Sequence, residues 1–99
     1  SADTRNVYGA EAKYRVAQTY FDMGETQKSE KVILEYIEVS TPHAYWLARG
    51  FVLLSDVYVK LGRKLDAKQY LLSLQQNYHA DDDIAEMIET RLAKLNSVK

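Results

Sequence analysis

Apolar and small residues between positions 47 and 61 trace one helical stripe. Leu47, Gly50, Phe51, Leu54, Val57, Tyr58 and Leu61 recur at steps of three, one, three, three, one and three, which is one face of a 3.6-residue helix. Ser40 or Thr41 can cap it, and Pro42 suits the first turn, where its missing N–H costs nothing. Gly62 follows the stripe, where a left-handed C-terminal cap is favoured. The pattern predicts a helix over about 43–61. Thirty-eight residues upstream stands a weaker copy, Ala12, Val16, Tyr20 and Met23, closed by Gly24. It predicts a helix over about 6–23 with a poorer apolar face, since Lys13 and Thr19 take the places of Phe51 and Val57. Tyr8 falls opposite Trp46 in this register and Ala10 opposite Ala48.

Each of these helices leads into another. After Gly24, Ser29, Val32, Ile33, Tyr36 and Ile37 fall at helical spacing; after Gly62, Leu65, Ala67, Leu71, Leu74 and Tyr78 do the same. A fifth helix is predicted over about 82–96. Asp81, Asp82 and Asp83 offer its cap and acidic first turn, and Ile84, Ile88, Leu92 and Leu95 form its stripe with Met87 beside it. The turns at Gly24 and Gly62 are too short for anything but antiparallel neighbours. One proline and four glycines in 99 residues also suit long helices better than many short strands. The fold class is therefore all-α.

The two units share a fixed order of large, small, aromatic, glycine and small residues. The second reads Phe51, Leu54, Ser55, Tyr58, Gly62, Ala67, Leu71; the first reads Lys13, Val16, Ala17, Tyr20, Gly24, Ser29, Ile33. This order resembles the tetratricopeptide repeat, a helix pair recurring about every 34 residues. The resemblance implies antiparallel helix pairs stacked as a right-handed α-solenoid of five helices. It implies a single domain over residues 1–99, with repeats at about 7–41 and 45–80 and a capping helix at about 82–96. The period here is 38, so the link around "EVSTPHAY" carries four extra residues. Pro42 comes one place late, and "NYH" at 77–79 lacks the proline. Thr26 and Lys64 stand where a tyrosine often follows the glycine. The longer links, with "AEAKYRVAQTYFDMG" and "AYWLARGFVLLSDVYVKLG", also look like repeat proteins of bacterial envelopes, which implies a periplasmic or outer-membrane-associated parent.

Composition removes several classes of function. Thirteen basic and fourteen acidic residues leave a net charge of −1, which gives no bulk attraction to nucleic acid or anionic membranes. There is no cysteine, so disulfides and thiolate metal sites are excluded. No apolar run reaches the roughly 18 residues that a membrane helix needs. His43 and His79 lack a spaced carboxylate partner and are not at the i, i+4 spacing of a helical zinc pair. "HADDD" lacks the alternating oxygen ligands, glycine and distal glutamate of a calcium loop, so capping is the better account. Gly9, Gly24, Gly50 and Gly62 form no phosphate-cradling loop, and no serine has a nearby histidine base. The expectation is a protein without catalytic residues, cofactor or metal.

The resemblance also implies a concave face lined by the first helix of each pair. Carried over position by position, it shows Glu11, Tyr14, Gln18, Phe21 and Asp22, then Arg49, Val52, Asp56, Val59 and Lys60. Members that clamp a C-terminal carboxylate use lysine and asparagine here, because a carboxylate only accepts hydrogen bonds. This chain has Tyr14, Gln18, Val52 and Asp56 instead, and Asp56 would repel such a ligand. The mixture suits an extended or helical protein segment; a solvated face without a partner is the alternative. The expected function is a scaffold for protein–protein assembly. The alternatives are a solenoid end cap without its own partner site, or a regulatory module of an enzyme. Repeats cannot bury their faces alone, so the expected partners are a protein or peptide, upstream repeats, or a second copy through Tyr8 and Tyr14.

Overall fold

A computed structural model describes residues 2–38 and 44–97, with side chains described over 9–37 and 45–97. The helices are α1 (Ala2–Asp22), α2 (Thr26–Glu38), α3 (Ala44–Lys60), α4 (Lys64–Asn77) and α5 (Ile84–Ser97). The predicted caps at Ser40, Thr41 and Pro42, the residue His43 and the contact assigned to Tyr8 lie outside the described residues. Among the described residues there is no strand.

The two glycine turns are built alike. Gly24 has φ 83° and Gly62 φ 81°, a region where a Cβ is strained. At the first, the Glu25 amide donates to the Tyr20 carbonyl at 2.8 Å and the Gly24 amide to Phe21 at 3.0 Å. At the second, Arg63 donates to Tyr58 at 2.7 Å and Gly62 to Val59 at 3.1 Å. Both are Schellman caps that satisfy the last helical carbonyls and fold the next helix back. The aromatic-to-glycine step is thus a turn device, with the tyrosine carbonyl as its closing acceptor. At α5, Asp82 Oδ1 accepts the Ile84 amide at 2.9 Å, as the aspartate run predicts.

Helix α3 is the centre of the molecule and packs on each of the other four. Ala48, Val52, Leu53, Leu54, Ser55, Val57 and Tyr58 are all buried, so its apolar surface runs nearly all round. One core cluster joins Tyr14 and Ala17 of α1, Ile33 and Tyr36 of α2, and Leu54 and Val57 of α3. The other joins Ala48 and Val52 of α3, Leu71 and Leu74 of α4, and Ile84 and Ile88 of α5. Ala17 lets α2 come close enough for Ser29 Oγ to donate to its carbonyl at 2.8 Å.

Two predicted stripes are corrected. Among the described side chains of α1 the buried residues are Ala10, Tyr14 and Ala17, whereas Ala12 and Met23 are exposed and Val16 is 48% exposed. Val16 corresponds to Leu54, which α2 helps to cover; its own position on α1 stays about half exposed, while Tyr20, the counterpart of Tyr58, is half-buried with Lys28 of α2 over its ring. On α4, Leu65 is 80% exposed while Ala67, Leu71 and Leu74 are buried. Leu65 lies in the first turn, off the face that meets α3.

Candidate functional site

Helices α1, α3 and α5 lie side by side, with α3 in contact with both others. Polar side chains join them at a spacing close to one repeat. Arg49 Nη2 donates to the Tyr14 hydroxyl at 2.8 Å, across 35 residues. Asp56 accepts from Arg91 Nε at 2.9 Å and Nη2 at 3.0 Å, again across 35 residues. Tyr45 donates to Asp83 Oδ1 at 2.9 Å, across 38 residues.

Of the ten residues assigned to the concave face, Tyr14 and Val52 are corrected. They are only 6% and 3% exposed, because Tyr14 packs between α1 and α3 and α5 covers Val52. The other eight are at least partly exposed, and Arg49 among them lies over the aromatic cluster described below. Glu11 is engaged by Arg15 at 2.7 Å on its own helix. Gln18 accepts from the Tyr14 hydroxyl at 3.0 Å and donates to Asp22 at 2.9 Å. Asp56 is held by the forked guanidinium of Arg91, a bidentate geometry.

Arg49 organises the end of the face near the start of α3. Its guanidinium lies over the rings of Tyr14, Tyr45 and Trp46, at 4.8, 5.7 and 5.8 Å from their centroids. Nη1 donates to the Tyr45 hydroxyl at 2.8 Å. Burial disfavours the charge on Arg49, but the Tyr45 and Tyr14 hydroxyls more than offset this and hold its pKa above the ordinary value. Burial first, and then the hydrogen bond to Asp83, raises that of Tyr45. This end is therefore an internally satisfied network.

The other end is open. Phe21 at the end of α1, Val59 and Lys60 of α3, Lys64 of α4, and Arg91, Lys94 and Leu95 of α5 enclose a groove of about 760 Å³. Phe21, Val59, Leu71 and Leu95 supply its apolar surface, with Asp56 and Arg91 at the polar boundary.

A family model for the tetratricopeptide repeat matches residues 10–43 and 48–77. The chain belongs to the tetratricopeptide repeat family. The matched segments start 38 residues apart, in the register of the two glycine turns, and the five-helix all-α architecture agrees with them. Tetratricopeptide repeats generally mediate protein–protein interaction or complex assembly, and the family is typically non-catalytic. Searches of curated proteins and of solved structures returned no match. Among the described residues no helix is long and apolar enough to cross a membrane.

The residues assigned to the groove lack Lys64, Arg91, Lys94 and Leu95. Helix α5 does not carry the repeat pattern, so positions cannot be carried onto the last three, and Lys64 opens α4, whereas the resemblance places the face on the first helix of each pair. The signal for Arg91 was spacing: residues about one repeat apart on neighbouring first helices sit side by side, and Arg91 follows Asp56 by 35.

Proposed function

We propose that this chain is a non-catalytic repeat scaffold that holds a protein segment against the open end of its concave face. The observation that carries the reading is the groove of about 760 Å³ between α1, α3 and α5. It exposes Val59 and part of Phe21 instead of filling with side chains. A site with apolar walls and few convergent polar groups is where binding is expected, and a groove between helices suits an extended or helical segment. The end-cap alternative is supported by α5, whose side away from Ile84 and Ile88 exposes Glu86, Glu89, Ala93 and Asn96. The two readings are separated by selecting binders to the chain from a displayed random-peptide library. Peptides should be recovered whose binding is lost on Val59→Asp, with the helical circular dichroism and Tm unchanged. Recovery of no peptide that depends on Val59 would favour the end cap.

A further inference from the structure

We infer that the groove takes an acidic protein segment bearing an apolar anchor side chain. This rests on the reading of the groove as a partner site. Five ionisable side chains line it: Asp56, Lys60, Lys64, Arg91 and Lys94. Asp56 and Arg91 neutralise each other in their bidentate pair. That leaves three lysines, and among the described residues none of them meets a carboxylate within ion-pair distance, whereas Arg15, Lys28, Arg63 and Arg91 each do. A chain with a net charge of −1 thus gathers three exposed cations round one apolar groove.

Helix electrostatics accounts for only part of this. Lys60 and Lys94 lie in the last turns of α3 and α5, where cations complement the macrodipole. Lys64 opens α4, where the same dipole disfavours a cation, so its position gains nothing from its own helix. All three ammonium groups offer donors and no acceptor. They match carboxylates that flank a side chain seated on Phe21, Val59 and Leu95. Such pairing at a rim acts mainly on specificity and association rate, and salt weakens it.

The test compares random-peptide selections on the 99-residue chain and on its Lys60→Gln/Lys64→Gln/Lys94→Gln variant. All three residues are exposed, and circular dichroism and Tm verify that the variant keeps the fold. Wild type should enrich peptides with Asp or Glu beside an aromatic or aliphatic residue. Synthetic copies should bind the triple variant about ten-fold more weakly, and wild type more weakly as salt rises. Neutral or basic peptides that still require Val59 would overturn the acidic preference and leave the groove reading intact. Acidic peptides bound equally by the triple variant would overturn it as well. If no recovered peptide depends on Val59, both readings fall. Lysine-dependent binding to phosphatidylglycerol-containing vesicles without acidic-peptide enrichment would overturn it in favour of a membrane surface.

Discussion

A Cβ added to Gly50 would lie 2.7 Å from Tyr36 Cζ and 3.2 Å from Ile37 Cγ2, with the Tyr36 hydroxyl closer still. That hydroxyl donates to the Trp46 carbonyl at 2.9 Å, and the ring is buried, so it cannot yield freely. Gly50→Ala should therefore destabilise by about 1–3 kcal/mol. Gly9 also lies within a helix but has nothing within 4 Å of the added atom, and Gly9→Ala should stabilise by roughly 0.5–1 kcal/mol through helix propensity. Urea midpoints of the two variants decide this, and shifts of the same sign would contradict it. Ionisation offers a second test. Burial, helped by Tyr70 and Glu30, pushes the Tyr58 hydroxyl from 10.0 up to about 12. Between these values the unfolded chain loses a proton that the folded chain keeps, so stability falls as pH rises from 10 to 12. Denaturation below and within that window should show the loss, and Tyr58→Phe should reduce it.

Helix α5 is held by less than the other helices. Its buried residues are Ile84 and Ile88, and its ion pair to α3 is about one-third exposed on each side. A pair so placed contributes only about 0.5–1 kcal/mol, so hydrophobic contact contributes more to holding the helix. Ile88→Ala should cost about 2–5 kcal/mol and Arg91→Ala no more than about 1 kcal/mol. Hydrogen exchange should show α5 amides losing protection first in Ile88→Ala. Equal effects of the two substitutions would mean that the ion pair, not the isoleucines, secures the helix. Because α5 forms one wall of the groove, Ile88→Ala should also weaken any ligand that depends on Val59.

At the scale of the molecule, equivalent positions in the two repeats have unequal surroundings. Leu54 is fully buried, and its counterpart Val16 is about half exposed. Leu54→Asp should unfold the chain or cost more than about 4 kcal/mol, since it buries an unpaired charge. Val16→Asp should change stability by less than about 1 kcal/mol. Thermal melts of the two variants test this, and a large loss from Val16→Asp would mean that the α1 face is covered in solution. Sedimentation of the wild-type chain would then show whether the cover is a second copy.

The helices, their order and both turns were legible in the sequence because they depend on local information. A period of 3.6 places the stripes, and a positive φ at Gly24 and Gly62 closes the turns. The paired "YFDMG" and "YVKLG" segments carried that information twice, and with it the repeat. Tertiary structure decided which face of each helix is covered. Tyr14 and Val52 read as groove residues and are core; Val16, Met23 and Leu65 read as core and are exposed. Burial depends on what stands beside a helix, and stripe position alone does not record the neighbour. Lys94 on the groove's rim and the Asp56–Arg91 pair were hidden for the same reason, since they depend on α5, outside the repeat pattern, standing beside α3.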